Sequence, residues 1–257
     1  MKLSLGVEEL AYAIGVAGGV EAASGFLLAI FGERPQMETE GRLLAASHAL
    51  VARGYLDFDH DTNEKWLDED FLELIKPMVS YKYSLRADKI TTGGESIISL
   101  YITSQKIVVH HIDNSVVSVI ESLEDQRAIQ DSLVRFYGLP TVVKSEFTAT
   151  VSRTLLKDLK YQSVITSEEK VTRKLLEQGL STEMVDALIS SLKRPAYRGS
   201  ITKISPPESE IVAERTLLLV SDQNFFWGFD IKHGESTMHI HSVSAEFLHS
   251  WLSSILL

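Results

Sequence analysis

The chain has 257 residues, 44% of them hydrophobic, and its 35 acidic and 25 basic residues give a formal charge of −10. This sign excludes nucleic acid as the main partner, because a protein that binds many phosphates needs excess positive charge. The absence of cysteine excludes disulfides and thiolate sites, and no apolar stretch approaches the roughly 20 residues of a membrane span. We expect a globular cytoplasmic protein with no cofactor and no membrane partner.

Hydrophobic periodicity in the first half predicts helices followed by strands. Apolar residues at helical spacing indicate a helix over 38–54, and acids followed by a proline indicate a shorter helix over 67–78. A helix over 123–139 closes this half. Between these helices, runs rich in β-branched and aromatic residues predict four strands, over 80–88, 95–103, 106–113 and 115–122.

The second half repeats this order of elements. Helices are predicted over 181–192 and 244–256. The strands predicted between them cover 196–204, 211–221, 224–232 and 236–244. Short turns between consecutive strands imply antiparallel pairing. The third strand carries the run NFFWGF, and most of its aromatic side chains are expected in the core, since strand aromatics usually pack there.

Matching residues at a constant spacing indicate an internal repeat. Pro195 lies 118 residues after Pro77, each following a basic residue, and the same shift places Gln223 over Gln105. Upstream the spacing grows to 125 residues, between Gly54 and Gly179, which is explained by extra turn residues in the first copy.

The repeat and the element order together predict the fold class. We expect an α+β fold, an internally duplicated pseudo-two-fold body with antiparallel sheets of about four strands per half and flanking helices. The predicted halves are 1–140 and 141–257, joined in one compact body.

Charge is distributed unevenly along the chain. Residues 1–78 contain 14 acidic and 6 basic residues, whereas 151–203 contain ten basic and six acidic residues. Region 38–78 also suggests a winged-helix module, which makes a transcriptional regulator the alternative function. Its acidic hairpin would repel phosphate. The opposite charges of the two regions are typical of solvated helix faces or of a polarised surface for a protein partner.

Motifs for nucleotide, metal or catalytic chemistry are weak. The glycines between Gly15 and Gly25 lack phosphate-loop spacing and are better explained by close helix packing. Asp57, Asp59 and Asp61 have calcium-loop spacing, but the loop lacks its glycine and its final glutamate, so an acidic turn is favoured.

The histidines offer a weak metal site at best. His110 and His111 are adjacent in a strand and must point to opposite faces. His239 and His241 share one face, with His249 following on the closing helix, but the residues identify no complete ligand set for zinc. No G-x-S-x-G motif is present. We therefore predict neither an enzyme nor a metal protein.

The order of these segments resembles a known family. LVARGYLDFD, the helix LDEDFLELIKPM with the following strand, and the hairpin strands SIISLYIT and KIVVHHID resemble the N-terminal half of the EspG family, which is associated with ESX, or type VII, secretion. The length, the repeat and the closing helices extend the resemblance over the whole chain. The resemblance implies a cytosolic, non-enzymatic chaperone that binds helical PE–PPE substrates and prevents an apolar tip from aggregating.

Two hairpin loops at matching repeat positions are the candidate partner-binding segments. The second, over 204–211, is stiffened by Pro206 and Pro207, whereas the first is expected to be flexible through its glycines. We expect the first loop to contact a helical protein partner, with a monomer and a homodimer both left open. Its candidate binding residues are Asp88, Lys89, Ile90, Thr91, Thr92, Gly93 and Gly94.

Overall fold

The computed structural model describes residues 2–59, 61–62, 64–113, 116–159, 164, 166–206 and 213–256. The chain forms two compact units. The first consists mainly of Met1–Ser84 and Ile98–Asp125, and the second mainly of Leu85–Ile97, Gln126–Ser205 and Ser209–Leu257. Each unit combines helices with antiparallel strands, which confirms the predicted α+β class. The sequence halves 1–140 and 141–257 stay a prediction about the repeat, whereas these units are defined by packing.

The first unit contains four helices and most of the first seven strands. The helices are α1 (Val7–Val16), α2 (Val20–Phe31), α3 (Gln36–Ala52) and α4 (Glu69–Val79). The strands are β1 (Lys2–Gly6), β2 (Leu56–Phe58), β3 (Lys65–Leu67), β4 (Tyr83–Thr91), β5 (Gly94–Ile102), β6 (Ile107–Asp113) and β7 (Val117–Leu123). The β4–β5 hairpin contributes residues to both units.

In the first unit the strand order is β1-β7-β6-β5, and every pair is antiparallel. Helices α1 and α4 bury their apolar faces with the sheet residues Val108 and Ile120 in one core. Helix α4 begins where Asp68 accepts a hydrogen bond of 3.1 Å from the backbone N–H of Phe71. This N-cap satisfies one of the free donors of the first turn, which explains the helix start.

The second unit contains the remaining elements. Its helices are α5 (Gln126–Tyr137), α6 (Glu168–Glu177), α7 (Thr182–Lys193) and α8 (Ala245–Leu256), with a 3-10 helix over Arg153–Lys157. Its further strands are β8 (Thr148–Ser152), β9 (Tyr197–Ile204), β10 (Ala213–Ser221), β11 (Phe226–Lys232) and β12 (Thr237–Ser242). The strand order is β4-β9-β10-β11-β12-β8.

Aromatic and aliphatic side chains of β11 and α7 form the core of the second unit. Trp227 and Phe229 are buried, and Phe225 packs partly buried against the same cluster. Most of the NFFWGF run therefore lies in the core, as predicted. On α7, Leu188 and Leu192 belong to this core, at the helical spacing that the sequence shows.

Two edge strands were absent from the sequence prediction. Strand β1 pairs with β7, and β8 pairs with β12, so each adds a strand beside the predicted meander of its unit. Each alternates between polar and apolar residues but is only five residues long, which leaves a short local signal for a strand. The internal duplication stays a prediction.

Candidate functional site

The seven predicted binding residues lie on the β4–β5 hairpin, where strand structure extends further than expected. Asp88 to Thr91 belong to β4, and Gly94 already begins β5, so the turn contains only Thr92 and Gly93. The prediction of a long loop is therefore corrected, because these residues form the end of a tight hairpin. Residues 90–96 are all exposed.

Thr91 fastens the turn of this hairpin. Its Oγ1 accepts a hydrogen bond of 3.1 Å from the backbone N–H of Gly93 and donates one of 3.2 Å to the carbonyl oxygen of Gly94. Gly94 has φ 130°, a backbone conformation that residues other than glycine rarely adopt. These hydrogen bonds preorganise the tip, in contrast to the flexible loop that the glycines suggested.

Asp88 and Lys89 anchor the base of the hairpin. The hydroxyl of Tyr137 donates to the carbonyl oxygen of Asp88 at 2.9 Å, and the Asp88 carboxylate accepts from the Ser200 hydroxyl. Lys89 Nζ donates to the carbonyl oxygen of Phe136 at 3.0 Å and lies 4.8 Å from the ring centroid of Tyr197. Both side chains are thus engaged within the second unit and position the tip.

Gly199 allows the base of the hairpin to lie close to β9. A Cβ atom at this position would overlap the carbonyl oxygen of Asp88 and press on the ring of Tyr137. Burial raises the pKa of the Tyr137 hydroxyl far above its ordinary value, so the hydroxyl stays protonated and remains a donor. The close approach therefore requires glycine at position 199.

A groove of about 410 Å³ runs beside the hairpin tip. One wall is formed by residues 90–92 and the other by residues 193–198, which follow the end of α7. Lys193 pairs with Glu168 at 2.5 Å, and Arg198 donates to the carbonyl oxygen of Leu192 at 3.3 Å. Arg194 is exposed, so the rim of the groove is basic while Ile90 supplies an apolar side chain.

The sequence predicted one wall of this groove and missed the other. Arg194 and Pro195 were identified in the sequence as part of the internal repeat, but no local pattern indicated that they would lie beside the hairpin tip. For the loop predicted over 204–211, residues 207–211 lie outside the described residues.

The predicted histidine pair is present, and each imidazole has a threonine partner. Nδ1 of His239 lies 2.9 Å from Thr150 Oγ1, and Nδ1 of His241 lies 3.2 Å from Thr148 Oγ1. Burial lowers the pKa of His241, although the charge of Asp230 opposes this effect. Across the described ranges no group of three potential metal ligands exists.

Asp57 lies in β2, and Asp59 and Asp61 follow it in the β2–β3 hairpin. The sequence predicted an acidic turn between two helices here, and a hairpin in the winged-helix alternative. Asp59 Oδ1 accepts from the backbone N–H groups of Asp61 at 2.7 Å and Thr62 at 3.3 Å. These hydrogen bonds lower the pKa of Asp59. The carboxylate is engaged in the turn, and its charge disfavours DNA binding by this hairpin.

Of the glycines between Gly15 and Gly25, Gly19 packs closely, as the sequence suggested. A Cβ atom at Gly19 would lie 2.9 Å from Val79 Cγ2 and 3.0 Å from Ile14 Cγ2. Gly19 therefore serves helix packing, whereas a Cβ at Gly18 or Gly25 would meet nothing within 4 Å.

Comparison with known proteins begins with the family match. The family model described as "Uncharacterised protein YfjC" matches residues 2–195. The chain belongs to this family. No curated protein matches the sequence.

A solved structure is similar to this YfjC-family chain over its whole length. It is the Mycobacterium tuberculosis type VII secretion system chaperone EspG5 in complex with a PE25–PPE41 dimer. The two chains share 11% identity with a TM-score of 0.70, and the match covers 100% of this chain and 96% of EspG5. The resemblance to the EspG family predicted from sequence is therefore confirmed as a likeness of fold. Of the helices that the structure describes, none has the length and apolar character needed to cross a membrane.

Proposed function

We propose that this protein is a chaperone that binds a helical protein through the tip of the β4–β5 hairpin. The observation that carries the proposal is Ile90, a large apolar side chain held 51% exposed on a preorganised turn beside a basic groove. An ordered apolar anchor of this kind costs little conformational entropy on binding. Residues Ile90 to Gly94 are the proposed contact, and Asp88 and Lys89 position them.

The likeness to EspG5 supports the class of partner. Because EspG5 was solved with a PE25–PPE41 dimer, the proposed partner is a helical substrate of type VII secretion, of the PE–PPE kind or related to it. The proposed role is non-enzymatic and cytoplasmic, since a substrate of export needs protection from aggregation before it leaves the cell.

The chemistry of the groove defines what the partner should present. Ile90 calls for an apolar side chain, whose burial supplies binding free energy. Arg194 is exposed on the opposite wall and favours an acidic group, which fixes orientation and partner choice. The expected contact on the partner is therefore a helix end with apolar and acidic residues together.

Capture from the native cytosol tests this function. Tagged wild-type protein and the variants Ile90→Asp and Val142→Asp are pulled down, and co-eluting chains are identified by mass spectrometry. Val142 is 78% exposed and lies outside the groove, so its variant is a matched control for charge and exposure. We expect a helical partner with wild type and with the control, and at least about a tenfold loss of affinity for Ile90→Asp, typical of an anchor residue.

Two results would contradict the proposal. The first is a clean monomer with no co-eluting protein under conditions in which the control protein is folded. The second is a partner that binds Ile90→Asp as tightly as wild type, which would assign binding to another surface.

A further inference from the structure

Exposed apolar side chains concentrate on the pair of helices α2 and α3 in the first unit. Of the ten large hydrophobic residues that are exposed among the described residues, five lie on these two helices: Val20, Leu28, Met37, Leu44 and Val51. In α2, a helix of mostly apolar residues, Ala23 alone is buried. A helix that is apolar on nearly all sides normally lies in a core, but α2 packs against α1 and leaves much of its remaining apolar surface exposed among the described residues.

The two helices enclose a groove. Both α2 and α3 pack against α1, and a space of about 420 Å³ stays open between them. Leu27, Leu28 and Phe31 line the α2 side, and Leu43 lines the α3 side. Helix α2 has 12 residues, which is about 18 Å at 1.5 Å per residue, so a partner helix of about three turns would fit along it.

The groove is lined by two acidic residues, Glu8 and Glu33, and by two basic residues, Arg34 and Arg42. Both arginines are paired: Arg42 with Glu8 at 2.9 Å and with Glu38 at 3.1 Å, and Arg34 with Glu38 at 3.9 Å. Glu21 and Glu33 are exposed and form no ion pair within the part of the chain that the structure describes. A ligand that carries positive charge beside an apolar surface is the complement of this groove.

We propose that the α2–α3 groove binds a cationic amphipathic helix of a partner protein. The apolar face of that helix would cover Leu28 and Phe31, and its lysine or arginine side chains would face Glu21 and Glu33. A second copy of this chain is disfavoured as occupant, because residues 1–78 hold 14 acidic and 6 basic residues and two such surfaces repel. An anionic lipid surface is disfavoured for the same reason. This surface shares no residue with the hairpin groove, so the two proposals stand separately.

Peptide titration of the purified full chain tests the groove. The probe is a fluorescent peptide of about 14 residues with leucine and lysine at helical spacing, compared with one in which glutamate replaces lysine. Binding is measured by fluorescence anisotropy for wild type, Leu28→Asp and Val142→Asp. Leu28 is 54% exposed, so its replacement is tolerated by the fold, which a thermal unfolding curve verifies.

The Leu28→Asp variant separates groove binding from general charge attraction. If the groove binds the peptide, Leu28→Asp weakens binding by about tenfold or more, since it removes an apolar anchor, and Val142→Asp leaves it unchanged. If the peptide is held by charge alone, both variants bind slightly more tightly, because each adds one negative charge. The second result would overturn the proposal.

A second variant and two further measurements complete the test. Glu33→Lys should weaken binding of the lysine peptide and improve binding of the glutamate peptide. Sedimentation velocity reports a second copy as occupant if wild type is a dimer that Leu28→Asp dissociates. Co-flotation with vesicles of anionic phospholipid reports a membrane surface. Either of these last two findings would replace the proposed partner.

Discussion

Exposed apolar side chains are arranged differently in the two units. In the first unit five of them share the α2–α3 surface, whereas in the second unit the exposed large hydrophobic residues are isolated along the chain, at Ile90, Val142 and Leu176. A single exposed apolar residue is normal at a protein surface unless it borders a groove, as Ile90 does, whereas several on one helix pair indicate an interaction site. The first unit therefore exposes several apolar side chains on one helix pair, whereas the second unit offers a single apolar anchor beside its groove.

The two units also differ in the kind of polar group that they bury. The second unit buries a charge, Asp230, which is 6% exposed and is held by Arg215. The buried pair of the first unit is neutral: His110 Nε2 lies 3.3 Å from Ser118 Oγ. A buried ion pair demands a fixed geometry, so it makes the second unit more sensitive to loss of one partner. Variants at these positions measure how far the two units differ.

The largest effect is expected for Arg215→Ala. Arg215 holds both carboxylate oxygens of Asp230, with Nη2–Oδ2 at 2.6 Å and Nε–Oδ1 at 2.9 Å, and its guanidinium lies 5.5 Å from the ring centroid of Trp251. Burial acts to raise the pKa of Asp230, but the hydrogen bonds and charge of Arg215 hold it below its ordinary value. Without Arg215 a buried carboxylate is unpaired, and the free energy of unfolding should fall by about 3–5 kcal/mol in urea titrations.

Two controls distinguish the buried pair from an ordinary surface pair. Lys232 and Glu235 form an ion pair of 3.1 Å with 62% and 41% of their side chains exposed, so Lys232→Ala should change stability by less than about 1 kcal/mol. The double variant Arg215→Met with Asp230→Leu should recover most of the stability. If Arg215→Ala lowered the free energy of unfolding by less than about 1 kcal/mol, the Arg215–Asp230 pair would contribute no more than an exposed surface ion pair.

The first unit should respond to pH through His110. Burial, with a contribution from neighbouring His111, lowers the pKa of His110 from 6.5 to about 4. Between these values the unfolded chain takes up a proton that the folded chain refuses, so stability falls as the pH drops from 6.5 towards 4. The contribution of His110 to this loss is about 3 kcal/mol at pH 4.

The variant His110→Gln isolates this contribution. It cannot gain the proton, so the difference in unfolding free energy between wild type and variant should change by about 3 kcal/mol between pH 7 and pH 4. His48 is exposed on α3, and His48→Gln serves as the control for loss of an imidazole at the surface. Parallel profiles for wild type and His110→Gln would contradict the prediction.

Replacing a glycine by alanine should change stability in opposite directions at two positions, one in each unit. In the second unit, Gly199→Ala pushes a methyl group into the carbonyl oxygen of Asp88 and should cost about 1–3 kcal/mol. In the first unit, a Cβ at Gly25 of α2 meets nothing within 4 Å, so Gly25→Ala should stabilise by about 0.5–1 kcal/mol. Thermal unfolding of both variants tests this. Equal shifts of the two variants would show that the approach of β4 to β9 tolerates a side chain.

Much of the fold was readable from the sequence because its signals are local. Helix α4 begins at Asp68 and strands β4 to β7 follow with short turns, all near the predicted ranges. Strands β1 and β8 were not predicted, since each alternates over only five residues and is held as a strand by pairing with β7 or β12. Tertiary pairing decided these elements.

The candidate sites were less predictable because they depend on neighbours that are distant in sequence. The tip residues Ile90 to Gly94 were identified as a loop, but the wall at Arg194 and the anchoring of Asp88 by Tyr137 arise only on folding. The aligned prolines also differ: Pro77 lies inside α4, whereas Pro195 follows the end of α7. The exposure of α2 could not be predicted either, since a mostly apolar helix is expected in a core.

The last of the expected effects concerns a side-chain network beside the turn between β10 and β11. Ser191 on α7 is fully buried, donates to Asp222 Oδ2 at 2.6 Å and accepts from Trp227 Nε1 at 3.0 Å. Ser191→Ala leaves the buried indole N–H without an acceptor and should cost about 1–2 kcal/mol. In the first unit the turn between β5 and β6 is held by Thr103, whose Oγ1 accepts from the backbone N–H of Lys106 at 2.9 Å.

A double-mutant cycle decides whether this network couples helix to turn. Trp227→Phe removes the donor, so adding Ser191→Ala to it should cost clearly less than Ser191→Ala alone, with a coupling of about 1 kcal/mol. Strictly additive losses in urea titrations would mean that Ser191 acts through packing alone. The turn at Thr103 is held by a hydroxyl of the turn itself. Val109 of β6, 118 residues before Trp227, serves as the comparison position, and the losses of stability from variants at Thr103 and Val109 should be additive. The contrast would then show that in the second unit a buried side-chain network joins helix to sheet, whereas the turn in the first unit is held locally.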